Sequence, residues 1–371
     1  MHTARPDDPG AERTPARAVQ EKIVLIAVNL LATAHVVWFY LNRVPSYIQL
    51  DRYEVGQERM PFQGRVLMEY PLRWAHQSHV VGAFAAWLTR LHLWLPRGVA
   101  PEDVVEFLVD FPAVIIAGLV ARDMYLFYSK RRRLSAYVYP FSLVMVAVSY
   151  CMEANHFFRF FYDLPGVGLF ALGLYLIYRR CNVLLFALVF IVATINRETS
   201  VFLLLFFLLS ACVVDGQIVW KRIFTWRVAG TTMLLAAFWL VWRVGVTRHF
   251  AERPSELAHH VVANICLALW PICWPQVFGM AGYTLPILLI FRAKTRPAEL
   301  QLWAWIVPLW AIFMMYFGVI SEIRLFGELI PLFACMGVLL AEERLFAGEP
   351  GCLSEPSDRE WETTSSFASH S

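Results

Sequence analysis

The sequence has little charge for its length. Only 16 % of its 371 residues are Asp, Glu, Lys or Arg, whereas 58 % are hydrophobic. Soluble globular domains carry roughly 25 % charged residues, so the composition excludes that class and indicates an integral membrane protein. The sequence also lacks the alternating polar and apolar segments of about ten residues that mark an outer-membrane barrel. The expected fold class is therefore all-α, a polytopic membrane protein.

The sequence also gives no indication of cysteine chemistry or of nucleic-acid binding. The seven cysteines are an odd number, lie mostly inside apolar runs and form no CxxC pair. They indicate small core residues, and neither a disulfide framework nor a cysteine-based zinc framework is expected. The net charge of +3 is small, and in a membrane protein the placement of charges matters more than their sum. No nucleic-acid partner is predicted.

Long apolar runs recur through the chain, and a helix needs about 20 residues to cross a hydrocarbon core of about 30 Å. They predict about ten spanning helices, at residues 23–41, 104–128, 135–152, 164–178, 182–196, 200–214, 228–246, 276–292, 301–320 and 325–341. Residues 23–341 thus form a single transmembrane domain. The polar segments 1–22 and 342–371 are predicted to be disordered tails.

Clusters of Lys and Arg set the predicted orientation. The short loops contain "KRRR" (130–133), "RR" (179–180), "KRIFTWR" (221–227) and "FRAKTR" (291–296). If residues 79–95 crossed the membrane, all four of these loops would face away from the cytoplasm. Because cytoplasmic loops carry the excess of Lys and Arg, we expect these loops and both termini in the cytoplasm of a bacterial inner membrane.

This orientation leaves residues 42–103 as one long external loop. Residues 79–95 are apolar but contain Arg90 and His92, and we expect them to form an amphipathic helix in the membrane interface. Residues 259–275 pose the same question. For both segments the alternative is a spanning or re-entrant helix.

The charges on the cytoplasmic side are nearly all Lys and Arg, whereas charges of both signs are mixed in the external loops. Besides the long loop, they occur in "CMEANHFFRFFYD", "NRETS" and "SEIRLFGE", which join the third and fourth, fifth and sixth, and ninth and tenth spans. A charged side chain in apolar surroundings costs about 2.5 to 3.5 kcal/mol, so such residues usually face partners or a wet cavity. Pairs four residues apart, Arg159 with Asp163 and Arg324 with Glu328, are alternatively ion pairs within single helices. Four loops of like composition favour a shared outward-facing polar pocket.

The residue types in these loops suit phosphate chemistry. Arginines bind phosphate or phosphodiester groups through two parallel hydrogen bonds, and the candidate binding residues are Arg65, Arg159, Asp163, Arg197, Glu198, Glu322 and Arg324. Asp51 and Glu54 follow the first span and are the candidates to accept a proton from an attacking hydroxyl or to hold a metal ion. A divalent metal ion is the one cofactor considered, and no motif requires it.

The segment "TINRETS" (194–200) shows why Arg197 is a candidate. The preceding span, 182–196, would be only about 22 Å long at 1.5 Å per residue, shorter than the membrane core. The turn would then lie below the outer surface, where Arg197 faces the pocket. The alternative is an ordinary turn, with Asn196 or Thr199 capping the next helix and Glu198 in its first turn.

In layout, the chain resembles the GT-C superfamily of membrane glycosyltransferases, which use polyprenyl-phosphate-linked sugars. The first span leads into a long external loop with an acidic residue near its start, and many spans with short external connections follow. The phrases that add to the resemblance are "MPFQGRVLMEYPLRWA", "FFYDLPGVGLFALGLYLIYRR", "ATINRETSVFLLL" and "EIRLFGELIPLF". They are similar to segments of uncharacterised bacterial proteins of this type.

The resemblance implies specific roles. Asp51 would act as the base towards the acceptor hydroxyl, with Glu54 as its substitute, and arginines of the later external loops would bind the departing lipid phosphate. Inversion at the anomeric carbon is expected. The implied partners are a polyprenyl-phosphate-linked sugar, a lipid or glycan acceptor and membrane lipids. The alternatives are a transporter or flippase, and a non-enzymatic subunit of an envelope polysaccharide assembly system.

Overall fold

The computed structural model describes residues 15–91, 98–152, 158–255, 260–279, 282–291, 297–320 and 322–346. In these ranges the chain is almost entirely helical. The α-helices are, in chain order, α1 (Pro15–Arg43), α2 (Leu50–Glu54), α3 (Glu69–Gln77), α4 (His79–Arg90), α5 (Pro101–Tyr128), α6 (Ser135–Cys151), α7 (Asp163–Tyr178), α8 (Val183–Asn196), α9 (Val201–Ala211), α10 (Trp226–His249), α11 (Val261–Leu269), α12 (Trp274–Phe278), α13 (Thr284–Phe291), α14 (Ala298–Ala304), α15 (Ile306–Phe317) and α16 (Ile330–Leu345). A hairpin of two short strands, β1 (Val213–Val214) and β2 (Gln217–Ile218), follows α9.

The helices confirm a helical membrane protein. Within the described ranges, five helices are long and apolar enough to cross a bilayer, and these are Val19–Asn42, Pro101–Tyr128, Trp226–His249, Ala298–Phe317 and Ile323–Leu345. Four shorter apolar helices correspond to α6, α7, α8 and the segment from Glu198 to the end of α9. The predicted count of about ten spans stays a prediction. Where the sequence predicts a continuous span over residues 276–292, the described residues form two short helices, α12 and α13.

The ends of the transmembrane domain differ slightly from the predicted ones. Helix α1 begins at Pro15, inside the predicted N-terminal tail, and α16 continues to Leu345, beyond residue 341. In both places the apolar helix extends into polar sequence. The predicted disorder of the remaining tails concerns residues 1–14 and 347–371, which lie outside the described residues.

The core is a bundle in which α5, α7 and α16 are central and α10 is peripheral. Helices α5 and α7 pack very closely. A Cβ atom added at Gly168 of α7 would lie only 2.7 Å from the Cα of Ala113 on α5. Small residues allow helix backbones in membranes to approach in this way. The contact fixes the position of the N-terminal turn of α7, which carries Asp163.

The long loop folds onto one end of this bundle. Its apolar side chains, among them Ile48, Tyr53 and Leu72, pack in a small core against Phe160 and Tyr162. Buried polar groups add hydrogen bonds, and the Glu58 carboxylate accepts from the backbone N–H groups of the residues at 49 and 59. The loop is therefore folded, and the hydrogen bonds of Glu58 stabilise its structure.

Neither of the two ambiguous segments contains a described helix long enough to span. Helix α4 has 12 residues, or about 18 Å at 1.5 Å per residue, well short of about 30 Å. Helix α11 has 9 residues. The described part of 79–95 thus agrees with a helix within the loop, and its location in the membrane interface stays a prediction.

Candidate functional site

Asp163, at the N-terminus of α7, is the centre of a buried charge network. We call the end of the bundle where α1 ends and the long loop begins the loop end. There the fully buried Asp163 carboxylate receives two guanidinium groups, with Arg324 Nη1 at 3.0 Å from Oδ2 and Arg197 Nη1 at 3.4 Å from Oδ1. Arg197 follows α8, and Arg324 lies in the 3-10 segment that precedes α16. Two distant turns therefore meet at one carboxylate.

Arg197 is also held by a second acid. Its Nη1 lies 3.3 Å from Oε1 of Glu328, and the same oxygen accepts a hydrogen bond from the Thr199 hydroxyl at 2.7 Å. Helix α8 stops at Asn196 because Arg197 adopts an extended conformation, with φ −158° and ψ 144°. The Asn196 side chain donates to the Tyr162 carbonyl at 2.9 Å. The turn is thus fastened to the loop end, and Arg197 is only 3 % exposed.

The long loop contributes Arg65 to the same region. Its guanidinium binds Glu198 through two parallel bonds, Nε to Oε2 at 3.1 Å and Nη2 to Oε1 at 2.5 Å. It also stacks on the Tyr162 ring, with 4.3 Å between Cζ and the ring centroid. Arg243 of α10 reaches the same acid, with Nη1 3.6 Å from Glu198 Oε2.

These contacts pair four arginines with four carboxylates in two groups, one around Asp163 and one around Glu198, and the consecutive residues Arg197 and Glu198 join the two groups. The loop-end network consists of Arg65, Asp163, Arg197, Glu198, Arg243, Glu322, Arg324 and Glu328. Its formal charges balance. Glu322 completes it through a 2.5 Å bond to Arg324 Nη2, and the Arg324 guanidinium lies over Phe160 at 3.8 Å. An open cleft of about 290 Å³ adjoins the network at Arg243.

The network leaves hydrogen-bonding capacity unused. In the part of the chain that the structure describes, four buried atoms at its centre have no hydrogen-bond partner, and these are Tyr162 Oη, Asn196 Oδ1, Arg197 Nε and Glu328 Oε2. An unsatisfied buried polar group costs about 1 to 3 kcal/mol. Both donors and acceptors are among these atoms.

Arg159 lies beside the network but binds different acids. Its Nη2 is 3.1 Å from Asp103 and 3.5 Å from Glu106, both on α5. The expected helical pairing of Arg159 with Asp163 is wrong, because Arg159 lies in an extended segment bridged to Ser46 and α7 begins only at Asp163. Of the predicted binding residues, Arg159 is the one that lies apart from the shared carboxylates.

The predicted catalytic acids lie on α2, in the folded loop. Asp51 is exposed, whereas Glu54 is buried near His76 of α3 and Glu102 of α5. Burial raises the pKa of the Glu54 carboxyl, and the hydrogen bond with Glu102 raises the pKa of the His76 imidazole. Helix α2 is joined to the network indirectly, since the hydroxyl of its Tyr53 donates to the Arg65 carbonyl at 2.5 Å.

Four residues of these sites escaped prediction from the sequence. Arg243 carried one signal, its position inside a predicted span, but nothing linked it to Glu198. Tyr162 resembled an ordinary interfacial aromatic residue. His76 and Glu102 are 26 positions apart, and no sequence motif connects them.

No protein-family model matches the chain, and no curated protein matches it. One solved structure to which it is similar is ArnT from Cupriavidus metallidurans in the apo state, at 15 % sequence identity and a TM-score of 0.39. The match covers 89 % of this chain and 63 % of that one, so the chain spans less than two thirds of ArnT's length.

Proposed function

We propose that the protein is a membrane glycosyltransferase of the GT-C type. It moves a sugar from a polyprenyl-phosphate donor to a lipid or glycan acceptor on the outer face of a bacterial inner membrane. The observation that carries the proposal is the convergence of Arg65, Arg197 and Arg324 from three separate connections on one buried network. The role of each residue below belongs to the proposal.

Stability alone does not account for such a network. Removing an ion from water costs several kcal/mol, and apolar residues of similar volume often replace buried ion pairs without loss of stability. Ionisable residues in membrane domains usually mark a substrate path or a binding site. The arginine–carboxylate network lies at the loop end, whereas the buried Glu299 and Glu342 at the opposite end accept from hydroxyl groups, which favours a site at one membrane face over a transport path.

The arginines suit the leaving group of the proposed reaction. A polyprenyl-phosphate sugar is a phosphodiester with one negative charge, and its phosphate gains negative charge as the bond to the anomeric carbon breaks. Arginine guanidinium groups bind phosphate oxygens and stabilise charge that develops in the transition state. Arg197 has an unused Nε–H donor in the described surroundings. An open surface depression formed by residues 243, 244, 247 and 248 of α10 lies beside the outermost arginine of the network.

The acceptor hydroxyl needs a base, and Asp51 is proposed for this role. It is exposed on α2, so a substrate hydroxyl has access to it. The bond from Tyr53 to the Arg65 carbonyl couples the position of α2 to the arginine that holds Glu198. Glu54 is the substitute base, and attack from the side opposite the phosphate inverts the anomeric carbon.

The test is sugar transfer by purified protein in detergent, with a radiolabelled polyprenyl-phosphate-linked sugar and an extract of envelope lipids and glycans as acceptor. We expect Asp51→Asn to abolish transfer while thermal unfolding is unchanged, because it removes only the proton acceptor on an exposed helix. The matched control is Asp215→Asn, an exposed aspartate in the β1–β2 turn at φ 49°, a conformation that asparagine also adopts.

The outcomes separate the alternatives. Full activity of Asp51→Asn removes the base assignment. Uptake of substrate into proteoliposomes without a covalent product contradicts the transferase and indicates a transporter. Loss of a partner protein in pull-down after Arg65→Ala, with no transfer by any form of the purified protein, indicates a non-enzymatic subunit.

A further inference from the structure

The long loop contains a second cluster, formed by Glu54, His76 and Glu102. These residues come from the end of α2, from α3 and from the first turn of α5. One potential ligand atom from each lies within 4.8 Å of the other two. His76 Nδ1 is 2.7 Å from Glu102 Oε1, so two of the three are already in contact. Three segments of the chain thus direct one imidazole and two carboxylates at one point.

The ion pair between His76 and Glu102 does not explain why Glu54 is buried beside them. It is only 7 % exposed, and its Oε1 has no hydrogen-bond partner within the described residues. A buried carboxylate oxygen without a hydrogen-bond donor is unfavourable, even with the His76 imidazole nearby. Its neighbours add to the problem, since Glu102 is also acidic and buried. A cation among the three side chains would supply the missing partner.

We propose that Glu54, His76 and Glu102 bind a divalent transition-metal ion of the Zn²⁺ class. Zn²⁺ accepts imidazole nitrogen and carboxylate oxygen at about 2.0 to 2.2 Å, in tetrahedral geometry. Ligand atoms around such an ion lie roughly 3.4 Å apart, a separation that small side-chain rotations reach from 4.8 Å. Mg²⁺ and Ca²⁺ prefer oxygen ligands alone, so the imidazole selects against them.

The site would fasten the loop to the bundle. A metal ion held by α2, α3 and α5 ties the helix that carries Asp51 to the first turn of a central helix. Three protein ligands leave a fourth position for water or for a group of a bound molecule. This proposal does not depend on glycosyl transfer, because metal binding itself is measured.

The experiment uses the full-length protein in detergent after treatment with a chelator and dialysis. Titration with ZnCl₂ in a calorimeter, checked by metal analysis of the dialysed sample, is expected to give one ion per chain. We expect Glu54→Gln and His76→Asn each to weaken binding more than about tenfold, since loss of even an outer-shell partner commonly weakens metal binding 10- to 100-fold. His79→Asn is the matched control, an exposed histidine three residues further along.

His76→Asn also guards against misfolding, because the His76 side chain is 58 % exposed and its removal opens no core cavity. Its thermal unfolding in chelator should equal that of the wild type, whereas added Zn²⁺ should stabilise only the wild type and His79→Asn. Co²⁺ should give the visible absorption of a four-coordinate site, lost in His76→Asn. Wild-type protein without stoichiometric Zn²⁺, or equal binding by all variants, overturns the proposal.

Discussion

Buried carboxylates have different kinds of partner at the two ends of the bundle. At the loop end, arginines meet acids directly, as Arg197 and Arg324 do at Asp163. At the opposite end, where α5 and α16 finish, Glu342 accepts from the hydroxyls of Tyr125 and Ser129, each at 2.5 Å, and from a backbone N–H at 2.8 Å. There the partners are neutral.

A second acid at the opposite end follows the same pattern. Glu299 of α14 accepts from the hydroxyls of Tyr128 at 2.8 Å and Ser210 at 2.5 Å, while Arg180 stays 3.9 Å away and half exposed. Both of these carboxylates join helix ends with their hydrogen bonds satisfied. The loop-end network has guanidinium groups and unused polar atoms instead. The difference is consistent with helix packing at the opposite end and supports the proposal that the loop end binds an anionic group.

The sharpest test of this comparison is Asp163→Ala. It leaves two buried guanidinium groups without their shared counter-charge, and breaking a buried pair in this way costs about 3 to 5 kcal/mol. We expect a loss of that size in the free energy of unfolding, measured by reversible unfolding in mixed detergent micelles. Near-wild-type stability would show that water reaches the network and screens its charges.

Glu342→Gln makes the corresponding change at the opposite end. The amide oxygen still accepts a hydrogen bond, but one acceptor is replaced by an NH₂ group facing a hydroxyl, so we expect a loss of about 1 to 3 kcal/mol. Binding of polyprenyl phosphate, followed by native mass spectrometry in detergent, should not change. A weakened lipid complex would mean that the two ends do not differ in function.

The smallest expected effects come from a pair of arginine variants. Arg65→Lys keeps the charge but loses the two hydrogen bonds to Glu198 and the stacking on Tyr162. We therefore expect polyprenyl phosphate to bind about tenfold more weakly, which corresponds to about 1.4 kcal/mol of binding free energy. Arg179→Lys changes a partly exposed pair with Asp123 and should shift stability by less than about 1 kcal/mol. Equal effects of the two variants on lipid binding would contradict the comparison.

Sequence reasoning located individual helices well, because hydrophobic periodicity and length are local properties. The predicted spans 135–152 and 182–196 correspond closely to α6 and α8. It also singled out Arg197 from one short turn, where a charge follows a helix of insufficient length. It did not find the partners of Arg197, since Asp163 and Glu328 are 34 and 131 positions away along the chain.

The sites themselves depend on long-range contacts. Arg65 and Glu198 are 133 residues apart, and their pairing follows from how the loop folds over the bundle. Sequence reasoning named Asp51 as the catalytic base and Glu54, on the same short segment, as its substitute. The structure separates their environments, with Asp51 exposed and Glu54 turned into the cluster with His76 and Glu102.

The sequence by itself determined that this chain is a helical membrane protein with charges collected in a few connections. That follows from composition, because transfer of a segment into the bilayer depends on its own side chains. Only the tertiary structure decided which charges share a carboxylate, which polar atoms stay unpaired and which acids surround His76. Electrostatic and hydrogen-bond energies depend on distances of a few ångströms in three dimensions, and the order of residues along the chain does not contain those distances.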